Sequence, residues 1–205
     1  MLKYSFLFPF LVCTLALSQT IETVNIGDQV WMAKNLESNS FQNGSAIIQA
    51  QDREQWQNLT EAAQPVWAYY YYDKATGEPY GYMYNIYAIT NGNPCPKGFR
   101  VPTNDDWQKL IKYVSEDLAA KKLKSISGWD DNGNGTNDYA FNALPGGVKS
   151  GYGGFNSYKK QASFWSNSTH DDQGLWSVVL MWWSDKAIIN PSGKKGGLHC
   201  RCIKE

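Results

Sequence analysis

Histidine is nearly absent from this 205-residue chain, with only His170 and His199 present. So little imidazole leaves few partners for an acid–base triad, and His170-Asp171-Asp172 is only a local order, whereas a triad needs spatial convergence. The runs that mark covalent and nucleotide chemistry are missing as well. There is no Gly-x-Ser-x-Gly, no phosphate-cradling glycine loop and no zinc-binding helix motif. Charge of one sign does not dominate either: nineteen Lys and Arg balance nineteen Asp and Glu. No basic block forms, which excludes nucleic-acid binding through clustered phosphate contacts. Long apolar runs reduce to one, Tyr4 to Leu17, short of the ~20 residues that span a bilayer. Cysteine is sparse, at Cys13, Cys95, Cys200 and Cys202.

That one apolar run sits where an export signal does. Lys3 supplies a positive start, and Ala16 and Ser18 put small residues at −3 and −1 before Gln19. We expect residues 1–18 to be a signal peptide cleaved after Ser18, with no transmembrane helix left in the mature chain. Lipidation at Cys13 is the alternative, but Val12 stands where a small residue is wanted. Residues 19–205 then form one domain, of a length that supports a core. It is secreted or held at the cell envelope, where cysteines oxidise.

What is abundant is aromatic: nine Trp and thirteen Tyr. Such rings fill a core poor in Leu and Ile, and they also favour half-wet positions. Thr23 to Met32 alternates around Gly27-Asp28 and reads as a β-hairpin. Ser38 to Ala63 reads as an irregular excursion, Val66 to Tyr72 as a strand, and Asp73 to Gly77 as the turn after it. Tyr80 to Ile89 fits a strand or a short helix. The clearest helix opens at Pro102-Thr103: Thr103 is the N-cap, Asp106 lies three residues on, and Trp107, Leu110, Ile111 and Val114 share a face. Ser127 to Asn137 is loop. Phe164 to Ser166, Trp176 to Trp182 and Leu198 to Ile203 read as closing strands. The sum is an α+β domain with short strands, long loops and one main amphipathic helix.

One loop has the composition of a calcium site. Asp130, Asn132 and Asn134 alternate, Gly135 offers a sharp turn and Asp138 follows. The twelfth position is Phe141, so the bidentate Glu is missing, and an ordinary Asx-turn loop explains the composition equally well. Ca²⁺ would order this loop. At the C-terminus, His199, Cys200 and Cys202 suggest a soft-metal or redox-active thiol site, but His199 and Cys200 point to opposite faces of a strand.

Five ordered blocks resemble the Fibrobacter succinogenes major paralogous domain family: Val24 to Leu36, Cys95 to Thr103 with Trp107, Phe141 to Gly147, Phe164-Trp165-Ser166, and Arg201 to Glu205. The central and terminal blocks are also similar to the formylglycine-generating-enzyme and sulfatase-modifying group. That similarity implies a C-type-lectin-like variant of the α+β fold. The family pattern pairs Cys95 with Cys202, closing a loop of about 107 residues worth about 4 to 5 kcal/mol. By strand alternation alone Cys200 reaches Cys95 as well as Cys202 does, and the third cysteine is left over.

The expected function is an exported, non-enzymatic binding or adhesion module for polysaccharide or a cell-surface protein, with Trp165, Trp176, Trp182 and Trp183 as contact rings. Trp182 and Trp183 are adjacent, so on a strand one faces out. Two alternatives stand beside it: a formylglycine-generating-type copper-dependent thiol oxidase, which needs two reactive thiols close together, and a purely structural envelope protein.

Overall fold

The computed structural model describes residues 21–151, 153–172 and 174–205; the expected signal peptide, Cys13 included, lies outside the described residues. β1 (Thr23–Ile26) and β2 (Gln29–Met32) pair with Ile26 opposite Gln29, leaving Gly27-Asp28 as the turn. Gly27 sits at φ 63°, and a Cβ there would lie 3.0 Å from the Tyr113 ring. Glycine therefore answers a backbone demand and a packing demand at once.

The segment expected to be irregular holds β3 (Ile48–Gln49) and an α-helix, α1 (Arg53–Glu61). Asp52 caps α1 by accepting from the Gln55 N–H. Its buried face is only Trp56 and Thr60, which is why hydropathy periodicity does not reveal it. β4 (Val66–Ala68) is shorter than the strand expected to Tyr72. Tyr70–Tyr72 instead turns through a 3-10 segment, and the expected turn after it is the short helix α2 (Lys74–Gly77). Asp73 caps α2, its carboxylate accepting from the Thr76 N–H at 2.9 Å. Then come β5 (Met83–Tyr84), α3 (Ile86–Thr90) and β6 (Phe99–Arg100).

α4 (Asn104–Val114) starts at the capping box its sequence announces. Thr103 Oγ1 accepts from the Asp106 N–H, and Asp106 Oδ2 accepts from the Thr103 N–H. Arg100 donates both guanidinium nitrogens to the same carboxylate, at 2.6 and 3.0 Å. These bonds outweigh desolvation and hold the Asp106 carboxyl below the usual carboxylate range. Trp107, Leu110, Ile111 and Val114 are all buried, and each such burial is worth about 1.5–3 kcal/mol. They meet Trp31, Phe141 and Phe164, with Trp31 and Trp107 centroids 4.6 Å apart. α5 (Ala119–Leu123) closes this core.

A two-stranded ribbon, β7 (Val148–Lys149) with β8 (Phe155–Asn156), precedes a long hairpin of β9 (Gln161–Asp171) and β10 (Gly174–Met181). β11 (Ile188–Gly193), β12 (Leu198–His199) and β13 (Ile203–Lys204) follow. Seven strands make one mixed sheet in the order β11-β10-β9-β12-β5-β4-β3; four make a second, β1-β2-β13-β6. β13 sets Ile203 beside Trp31 of β2, so the two ends of the described chain share one sheet. The class is α+β, with one disulfide among the described residues. No described helix is long and apolar enough to cross a membrane.

Arg201 is buried at the junction of three chain segments. Its guanidinium donates to Asn35 Oδ1 (2.6 and 2.9 Å), to the Phe141 carbonyl (2.6 Å) and to the Ala33 carbonyl (3.1 Å), and lies 4.5 Å from the Phe141 ring. One side chain thus ties the post-hairpin segment and the Phe141 loop to the segment between β12 and β13.

Candidate functional site

The most chemically unusual region surrounds a tyrosine run. Tyr70 is buried, Tyr71 is 59% exposed and Tyr72 is half-buried. Tyr71 and Tyr72 sit consecutively at φ 55° and 59°, a left-handed pair that costs roughly 1–2 kcal/mol per side-chain-bearing residue. The capped helix α2 follows them and packs back on the start of the run, where a Cβ on its Gly77 would lie 2.6 Å from the Tyr70 nitrogen. Strain of this kind marks functional sites when the surroundings over-determine it. Here it turns the Tyr71 ring out to solvent.

β8 completes an aromatic ridge. The Phe155 centroid lies 4.9, 5.5 and 5.0 Å from those of Tyr70, Tyr71 and Tyr72. Tyr158 stacks on Tyr70 at 4.9 Å, and Tyr80 meets Tyr158 edge-on at 5.6 Å. Burial pushes the Tyr70, Tyr72 and Tyr80 hydroxyls well above the usual phenol range, so they stay protonated.

Behind the ridge stands Lys149, opposite Phe155 in the β7–β8 register. It is fully buried, and its ammonium has no hydrogen-bond partner. Three rings surround it instead, with centroids at 5.0 Å (Trp56), 5.4 Å (Phe155) and 5.9 Å (Tyr72). Cation–π attraction offsets part of the lost hydration. Burial, with Arg53 nearby as the lesser cause, draws its pKa down to about 8. The Tyr72 hydroxyl, at the same cage, is also buried without a partner. Gly197 lets Trp56 approach, since a Cβ there would lie 2.8 Å from the indole.

A groove of about 1100 Å³ runs alongside, between the end of α1, the β7 turn and the Asn190–Gly196 segment. A smaller recess of about 40 Å³, walled by Trp56 and Gln57, shares Thr60, Glu61, Lys149, Gly151 and Lys195 with it, and Lys195 Nζ lies 3.6 Å from the Glu61 carboxylate. The arrangement offers flat rings with polar edges, hydroxyl and amide groups, and a buried cation. It is equipped to hold a flat polar ligand.

The structure separates the four tryptophans expected to form a contact face. Trp165 is fully buried and its indole N–H donates to the Tyr84 carbonyl at 2.8 Å, which corrects its reading as a contact ring. Trp176 is half-buried on β10 against His170. β10 ends at Met181, so Trp182 and Trp183 lie in a turn and not on the strand expected. Trp182 packs against the α4 core under Lys160, while Trp183 is 63% exposed. The ridge is hidden in the sequence because Val66 to Tyr72 looks like a single strand. Four tyrosines in a row was the available signal, since alternation hides only every second one.

The Asp130–Asp138 loop is held by the chain's own groups. Asn134 Oδ1 accepts from the Trp129 N–H, the Asn134 carbonyl from Lys121 Nζ, and Asp131 pairs with Lys160 at 2.8 Å. Gly135 is there for close approach: a Cβ would lie 2.3 Å from the Lys124 carbonyl. Among the His, Cys, Asp and Glu side chains of the described residues, the group with metal-ligand proximity is Cys95, Cys200 and Cys202.

Those three sulfurs lie within 4.8 Å of one another. Cys95 and Cys202 are joined, and Cys200 is a buried thiol whose pKa burial pushes up to about 12. A thiol so protonated is unreactive at neutral pH. His199 is not part of the group. Its Nδ1 lies 3.2 Å from the Tyr82 carbonyl, and burial drops its pKa to about 4, leaving it neutral.

A family model described as the Fibrobacter succinogenes major domain matches residues 24–204. No curated protein matches the chain, and no solved structure does.

Proposed function

The chain belongs to the Fibrobacter succinogenes major domain family, and we propose that it is an exported binding module that recognises polysaccharide along the Tyr71–Phe155 ridge and the adjoining groove. The observation that carries this reading is Tyr71, a ring turned to solvent at the cost of backbone strain and backed by Phe155. Pyranose faces stack on such rings while the ring edges keep their water contacts. The neighbouring groove supplies the hydroxyl and amide groups that orient a sugar.

The export reading has its own support. The Cys95–Cys202 bond fits an oxidising compartment, and we place cleavage of the leader after Ser18. We also read the fold as C-type-lectin-like, on the pairing of β13 with β2 and the staple that ties the middle of the chain to its end. Fold analogy alone carries no ligand, so the ridge bears the functional weight.

The test is retention of residues 19–205 on insoluble xylan and cellulose, and retardation in gels containing soluble polysaccharide. Tyr71→Ala and Phe155→Ala are expected to lose retention, and Trp183→Ala to keep it. Loss in the Trp183 variant alone would move the site to the β10–β11 turn. No retention on any polysaccharide would end the glycan reading.

A further inference from the structure

Lys149 narrows the ligand, on the premise that the groove takes polysaccharide. We propose that the recess at Lys149 is an anion subsite, and that the polysaccharide it serves is acidic, bearing uronic-acid carboxylates. Among the described residues six buried side-chain polar atoms have no hydrogen-bond partner, and two of them, Lys149 Nζ and the Tyr72 hydroxyl, stand at one cage. A buried ammonium without an acceptor has lost its hydration and gained no hydrogen bond in return. Ring faces return part of that, but they leave its N–H donors without lone pairs. The recess beside it, about 40 Å³, is roomy enough for a water or a single carboxylate. Lys149 lines this recess, and nothing in the described chain satisfies its ammonium donors.

The groove has the matching sign. Its charged lining is Lys149, Lys194 and Lys195 against Glu61 alone, while the whole chain carries no net charge. Arg53 adds a further positive field at Lys149. This cationic excess is therefore local to the groove. The geometry also selects among anions. A phosphodiester carries its charge within the backbone, with no pendant group to enter a small recess. A uronic acid presents a pendant carboxylate on the rim of a sugar ring, and Phe155 of the ridge is one of the rings around Lys149. Neutral polar groups along the groove, Asn190 and Ser192 among them, suit sugar hydroxyls.

Calorimetric titration of hexagalacturonate, xylohexaose and hexaglutamate into residues 19–205 tests the assignment. The wild-type protein should bind hexagalacturonate at least about tenfold tighter than xylohexaose. Lys149→Met should lose about tenfold or more for the acidic sugar while its affinity for the neutral one holds. Thermal melting verifies that this variant is folded. Should it not fold, Lys195→Ala, an exposed change, should weaken hexagalacturonate by a few fold and leave xylohexaose alone. Equal binding of the two sugars, or no effect of either substitution, would overturn the anion subsite and leave the polysaccharide reading standing. No binding of either sugar would overturn both. Tighter binding of hexaglutamate than of hexagalacturonate would assign the recess to acidic peptides and overturn the glycan part.

Discussion

Reducing the Cys95–Cys202 bond releases a constraint spanning 107 residues of sequence. In the chain-entropy model, closing a loop of that length removes about 16 cal/mol/K from the unfolded ensemble, or about 5 kcal/mol at 25 °C. Domains of this size have total stabilities of about 5–15 kcal/mol, so the reduced protein should be marginal. With a urea dependence of about 2 kcal/mol/M, the unfolding midpoint should fall by roughly 2.5 M. The assay is equilibrium urea unfolding followed by tryptophan fluorescence, on oxidised protein and on protein unfolded and refolded with a phosphine reductant. Because Cys200 lies within 4.8 Å of both bonded sulfurs, the comparison is repeated in Cys200→Ala, where exchange has no third partner. Midpoints agreeing within about 0.3 M, with reduction verified by mass, would refute the loop-entropy argument.

Three further outcomes follow from particular residues. Arg201→Met should cost about 3–5 kcal/mol by urea unfolding, because it strands Asn35 Oδ1 and the Phe141 and Ala33 carbonyls in the interior. Lys149 has a folded pKa of about 8 against 10.5, so between those values the unfolded chain binds more protons and stability rises with pH. That rise, about 2–3 kcal/mol between pH 8 and 10, should be absent from Lys149→Met, which should be the more stable protein at pH 7; parallel stability–pH curves for the two proteins would contradict the assignment. Tyr71→Asn should relieve left-handed strain and raise stability by up to about 1 kcal/mol while weakening polysaccharide retention, measured by thermal melting and pull-down together.

Sequence patterns reveal elements whose physics is local. The β1–β2 hairpin shows in alternation around Gly27-Asp28, and α4 in its capping box and four-residue apolar stripe. α1 is invisible to the same reasoning because two buried side chains do not make a stripe. β11 is hidden too: Ile188–Gly193 is an edge strand carrying Asn190 and Pro191, and its pairing with β10 is a tertiary decision. The candidate site was the least legible part. Consecutive left-handed tyrosines are not written in any propensity, and Lys149 looks like an ordinary surface lysine until the topology sets it among Trp56, Tyr72 and Phe155. For the cysteines, alternation places positions 200 and 202 on one face, and the structure brings both sulfurs to Cys95.

Affinity electrophoresis of residues 19–205 through gels containing soluble pectin or xylan, with Tyr71→Ala alongside, goes straight to the claim that the strained tyrosine ridge is a sugar-binding surface. Retarded migration of the wild-type protein, abolished by that one substitution in a protein that still melts cooperatively, is the predicted result. Unretarded migration in every gel, or retardation identical in the two proteins, would contradict it.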